Sequence, residues 1–121
     1  MKILILDDTA ITRSLLKKML GKLGWDDVFE AGSAAAAYLL LKEHKFDLVL
    51  LDWMMPEFDG FNFLKVFRHM EATKDVPVIM ITAKDKEEDL NAALAEGANA
   101  YIKKPIGFDI FKNTIEQVLA K

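Results

Sequence analysis

The chain predicts an α/β domain: a doubly wound, five-stranded parallel sheet with helices on both faces. Two observations carry this. Short apolar runs alternate with segments of helical period five times along the chain. The run Leu48-Val49-Leu50-Leu51 is apolar at every position, as in a parallel strand covered by helices on both sides. In order, Lys2 to Leu6 reads as a buried strand, and Ile11, Leu15, Met19 and Leu20 then recur at helical spacing until Gly21 and Gly24 end the pattern. Asp27 to Ala31 supplies the second strand, and Ser33 suits the N-cap of a helix reaching about His44. Leu48 to Leu51 forms the third strand and should lie centrally. A loop with Pro56 and Asp59-Gly60 leads to a helix carrying Phe63, Leu64, Phe67 and Met70. Val76 to Thr82 is the fourth strand, with Pro77 near its start, where a missing N–H is tolerated. Asp85 to Glu96 forms the next helix, closed by Gly97, and Tyr101-Ile102 belongs to the fifth strand. From Phe108 onward, Phe111, Ile115, Val118 and Leu119 make one apolar stripe.

Bulk properties bound the function. The 121 residues suit one domain spanning 1–121, and 52% hydrophobic with 29% charged residues is an ordinary globular composition. Sixteen basic against nineteen acidic residues leave a net charge of −3, so no basic field exists to hold nucleic acid or an anionic membrane. There is no cysteine, which removes disulfides, thiolate metal sites and thiol nucleophiles and fits a cytoplasmic location. Ile3 to Leu6 stops at Asp7-Asp8, far short of a signal core, and Ala34 to Leu41 is too short to cross a bilayer.

In such folds ligands bind beyond the carboxyl ends of the strands. Asp7 and Asp8 end the first strand, Asp52 the third and Thr82 the fourth, while Lys104 follows the fifth. Each alone is an ordinary turn, cap or surface residue; their convergence on one rim is what points to chemistry. Crowded carboxylates repel by about 4 kcal/mol per pair at ~4 Å and an effective dielectric of ~20. A cation must therefore compensate, and an all-oxygen cluster suits Mg²⁺. Asp52 would then act as a carboxylate nucleophile on phosphorus, with Lys104 and the Thr82 hydroxyl spreading charge on the transferring group.

The order Asp7-Asp8, Asp52-Trp53-Met54-Met55-Pro56, Asp59-Gly60, Thr82-Ala83, Tyr101 and Lys104-Pro105 resembles CheY-like response-regulator receiver domains over nearly the whole chain. The resemblance implies the flavodoxin-like strand order 2-1-3-4-5, which the general rules for this fold give with CheY as their own example. It implies phosphorylation of Asp52 by a histidine kinase of the CheA-like kind. Asp8, Asp52 and the backbone carbonyl of Met54 would bind Mg²⁺ directly, with Asp7 acting through water. Lys103 and Lys104 should point to opposite sides of the strand, and Lys104 is chosen because the family's lysine directly precedes proline, often across a cis bond. Thr82 and Tyr101 are the implied switch pair, biasing the face made by the fourth helix, fifth strand and fifth helix. Partners expected on this basis are the kinase, a separate downstream protein at that face and a phosphatase, with no direct DNA or membrane binding. With no effector domain read after Lys121, output is expected through binding, and the Asp52-Trp53-x-Met-Pro form points to chemotaxis.

Met54 and Lys84 stand two residues after Asp52 and Thr82, where side chains influence the approach of water, and bulky Met54 is expected to slow hydrolysis of the phosphoryl group. A haloacid-dehalogenase-like Mg²⁺ phosphatase is the main rival. That pattern places its nucleophile after the first strand with a second Asp two residues on, where this chain has Met54. A nucleotide- or flavin-binding module lacks any G-x-G-x-x-G or P-loop among the six glycines. A non-phosphorylated scaffold is the remaining alternative.

Overall fold

A computed structural model describes residues 1–55 and 59–120, so Pro56 of the expected loop and Lys121 lie outside the described residues. The elements alternate as β1 (Ile3–Leu6), α1 (Ala10–Lys22), β2 (Val28–Ala31), α2 (Ala34–Glu43) and β3 (Leu48–Leu51). They continue as α3 (Gly60–His69), β4 (Val78–Thr82), α4 (Glu87–Ala95), β5 (Ala100–Lys103) and α5 (Phe108–Leu119). All neighbouring strands pair in parallel, in the order β2-β1-β3-β4-β5, with β3 between β1 and β4 as its unbroken apolar run required.

Strand alternation divides the core in two. Leu4, Leu6, Val49, Leu51, Val78 and Met80 face α2, α3 and α4, where Ala37, Phe63, Leu64, Phe67 and Ala93 are buried. Ile3, Ile5, Leu48, Leu50, Ile79 and Ile81 face α1 and α5 and pack with Leu16, Leu20, Phe111 and Ile115. Because both faces are covered, every β1, β3 and β4 residue is buried, and the polar rim lies only where the strands end.

Several boundaries differ from the sequence reading. In α1 the helix runs through Gly21 to Lys22, and Gly24 takes the positive φ beyond it. The buried stripe there is Leu16, Met19 and Leu20, while Ile11 is 82% exposed and Leu15 also faces out. Apolar spacing alone could not tell which of two adjacent stripes faces the sheet. β2 starts at Val28 rather than Asp27, and β4 at Val78; Pro77 stands just before β4, and its carbonyl accepts from the Val49 N–H. α4 begins at Glu87 after Lys86, so Asp85 stays in the loop and leaves Glu87, Glu88 and Asp89 at the positive end of the helix dipole. Met70 caps α3 instead of continuing its stripe. Ser33 does cap α2, accepting from the Ala36 N–H at 3.1 Å.

Candidate functional site

The parallel register brings β1 and β3 to an end side by side, Leu6 opposite Leu51, so Asp7 and Asp52 emerge next to each other. Asp7 and Asp52 are buried and Asp8 is exposed. Carboxylate oxygens of the three lie within 4.8 Å of one another. The loops hold these carboxylates in place by folding back on them. The Thr9 N–H donates to Asp7 Oδ1 at 2.8 Å, and the Met54 N–H donates to Asp52 Oδ1 at 3.2 Å.

Lys104 spans the two buried acids, its Nζ 3.1 Å from Asp7 Oδ2 and 3.5 Å from Asp52 Oδ2. Its own N–H donates to the Thr82 carbonyl at 2.9 Å, which extends the β4–β5 ladder to the rim. Lys103 is exposed, and the Lys104-Pro105 peptide is cis. One ammonium does not neutralise three carboxylates. Burial, then the charge of Asp7, pushes the Asp52 carboxyl from 3.8 up to about 6, against the opposing pull of Lys104 and the Met54 N–H. This oxygen-only donor set with surplus negative charge fits a hard divalent cation; Asp8, exposed beside the two buried acids, leaves the cluster open to solvent.

Thr82 ends β4 fully buried, and its Oγ1 accepts from the Lys84 N–H at 3.3 Å. Tyr101, on β5, is half-buried and donates its hydroxyl to the Lys84 carbonyl at 2.6 Å. Burial, then Asp89, Asp85 and Asp52, pushes its phenol up to about 12, so it stays a donor at neutral pH. The loop leaving Thr82 is thus tied to the aromatic of β5. Met54 is 56% exposed, two residues after Asp52, on the wall of an open depression of about 400 Å³ lined also by Trp53, Met55, Asp59 and Lys84.

Three packing roles are not legible in the sequence. Gly60 belongs to the Asp59-Gly60 turn that is part of the family-like motif, and a Cβ there would run into the carbonyl oxygen of Asp52. Its N–H donates to the Trp53 carbonyl at 2.7 Å while Asp59 caps α3 through the Asn62 N–H at 2.9 Å. Only glycine lets the helix start this close to Asp52. Arg13, from α1, donates Nη1 to the Asp7 carbonyl at 2.6 Å and Nε to Glu30 at 3.2 Å, fixing the acidic loop against β2. Trp53 stacks on Phe61 at 4.9 Å and receives the Lys84 ammonium on its ring.

With this geometry established, the chain can be placed: it belongs to the response regulator receiver domain family, which it matches over residues 3–116. Among its relatives are the chemotaxis protein CheY-3 of Vibrio cholerae, 38% identical over 121 residues that span all of this chain and 93% of that protein, and CheY1 of Helicobacter pylori. The latter is 37% identical over 98% of this chain and 97% of its own. Among solved structures, a putative response regulator from Chloroflexus aurantiacus superposes with a TM-score of 0.92 at 28% identity, covering 99% and 98% of the two chains. These likenesses favour a receiver over the phosphatase alternative. Among the described residues no helix is long and apolar enough to cross a membrane.

Proposed function

We propose that this chain is a phosphorylation-dependent switch of a two-component phosphorelay, acting as one receiver unit over residues 1–121, with Asp52 as the acceptor. The single observation behind this is the buried Asp52 carboxylate, grouped with Asp7 and Asp8 within 4.8 Å and approached by Lys104 at 3.5 Å. An Asp52 oxygen attacks phosphorus, the bond to the donor's imidazole breaks, and its electron pair leaves with the imidazole. Lys104 balances charge on the transferring oxygens, and the Thr82 hydroxyl donates to one of them once it turns from the Lys84 N–H. Asp8, Asp52 and the Met54 carbonyl, with Asp7 through water, would hold magnesium, which would supply further charge neutralisation. The same residues assist the later hydrolysis, so the chain takes part in its own phosphorylation and dephosphorylation without being a turnover enzyme.

The phosphoryl group adds roughly −1.5 to −2 charge, by analogy with other phosphorylated side chains. Thr82 and Tyr101 pass that change through the Lys84 loop to the α4-β5-α5 face, where a separate protein binds. A CheA-like histidine kinase is the donor and a phosphatase resets the switch in the cytoplasm; the named chemotaxis relatives make that pathway the leading one. The test is intact mass after incubation with Mg²⁺ and acetyl phosphate. Wild type gains one phosphoryl mass and Asp52→Asn gains none; a wild-type chain that never gains it speaks for the scaffold alternative.

A further inference from the structure

Beside the acceptor stands a column of charge and aromatic rings that the phosphotransfer chemistry does not use. The Lys84 ammonium lies 4.9 Å from the centroid of the Trp53 ring, Trp53 stacks on Phe61 at 4.9 Å with 18° between planes, and the Lys65 ammonium lies 5.2 Å from the Phe61 ring. Trp53 directly follows the acceptor, and Lys84 lies two residues beyond the hydroxyl of Thr82. Both side chains line the depression of about 400 Å³ that also holds Met54. Among the described residues Lys84 makes no ion pair, and its ammonium rests on the indole face. The backbone of Lys84 is fixed at both ends, its N–H on Thr82 and its carbonyl on Tyr101. Its side chain lies along the depression.

We propose that Trp53 is a resting berth for the Lys84 ammonium and that Lys84 leaves it to contact the phosphoryl oxygens on Asp52 once they exist. The inference rests on the reading of Asp52 as acceptor and adds a second cation, besides Lys104, that engages whenever phosphoryl oxygens are at Asp52, from the transfer itself onward. Magnitudes decide the direction. An exposed ring holds a cation by a factor of about two to five. Attraction to a doubly charged phosphoryl at ~4 Å, near the surface, is worth about tenfold or more. In the resting protein that attraction is absent, and Lys104 already occupies the inner oxygens of Asp7 and Asp52. The swing also carries a cation out of the depression, changing the charge presented next to Trp53 and Met54.

The experiment uses the full chain with Mg²⁺ and acetyl phosphate, intact mass taken on each sample and ¹³C-resolved spectra recorded for the lysine ε-methylenes. In the unphosphorylated chain the Lys84 signal, assigned by its loss in Lys84→Arg, sits upfield of the other lysines because of the indole ring current. On phosphorylation it moves back among them. Lys84→Gln gains the phosphoryl group about three- to tenfold more slowly, and Lys84→Arg restores most of the rate. A Lys84 signal that stays put in protein carrying the added mass overturns the proposal, as does a wild-type rate in Lys84→Gln. Absence of the added mass in wild type is a different failure: it removes the acceptor assignment and this inference with it.

Discussion

At the carboxyl ends of the strands three carboxylates share one ammonium, whereas at the amino ends a half-buried guanidinium meets an oxygen at every turn. Arg68 donates Nε to the Gly97 carbonyl at 2.9 Å, Nη1 to the Thr73 and Lys74 carbonyls at 3.3 and 3.1 Å, and Nη2 to Asn99 Oδ1 at 3.0 Å. Asn99 in turn accepts from the Val78 N–H at 2.9 Å, so the clasp joins α3, the start of β4 and the turn after α4. Gly97 sits at φ +112° with the Arg68 side chain where a Cβ would be. Burial pulls this guanidinium below its usual range and Asp75 opposes the shift. One rim has its hydrogen bonds closed within the protein; the other keeps a charge deficit that only something from outside can fill. A fold stores reactivity in the second kind of place and rigidity in the first.

Changes to each rim should therefore have opposite signatures. The largest effect is expected for Gly60→Ala, which forces α3 away from the Asp52 carbonyl: about 3 kcal/mol of stability lost by urea denaturation, together with loss of phosphorylation. An alanine variant of near wild-type stability would show that the close approach is not needed.

Next is the pH dependence of the charged rim. The Asp52 pKa is raised on folding, from 3.8 to about 6, so the native state binds its proton more tightly than the unfolded chain does. The associated stability is fully present below about pH 4 and is lost as pH rises through 6, amounting to about 3 kcal/mol in all, of which ~2 kcal/mol falls between pH 4.5 and 7. Denaturation at pH 4.5 and 7 without divalent ions should show this slope in wild type. In Asp52→Asn the slope should flatten and stability at pH 7 should exceed wild type by a similar amount; a variant with unchanged slope would place the burden elsewhere. Arg68→Met, at the closed rim, should lose ~1–2 kcal/mol at either pH, because it strands acceptors and not charge. The smallest effect concerns Met54, whose exposed side chain flanks Asp52: Met54→Asn should shorten the lifetime of the proposed phosphorylated state a few-fold, about 1 kcal/mol in the barrier. No gain in hydrolysis rate would leave Met54 as a packing residue.

The contrast between the rims also explains what the sequence could reveal. Strand and helix order was legible because full burial leaves runs such as Leu48 to Leu51 unmistakable, and the acids were legible because each directly ends such a run. Resemblance, more than pattern, supplied the strand order and the choice of Lys104 over Lys103. What escaped depends on long-range packing. Ile11 and Leu16 are both apolar on α1, and only the sheet decides that Leu16 goes inside. Gly60 looks like any turn glycine until Asp52 is seen behind it, and an arginine such as Arg13 or Arg68 carries no local sign of which carbonyls its fork will reach.

If the acidic rim is short of positive charge, calorimetric titration of Mg²⁺ near pH 6 in buffers of different ionisation enthalpy will reveal it. Saturable one-to-one binding should appear with release of part of a proton, since Asp52 is near half-ionised there, and Asp52→Asn should abolish the proton release and weaken binding at least tenfold. No saturable binding, or binding indifferent to Asp52, would mean that the rim has no such need of a cation.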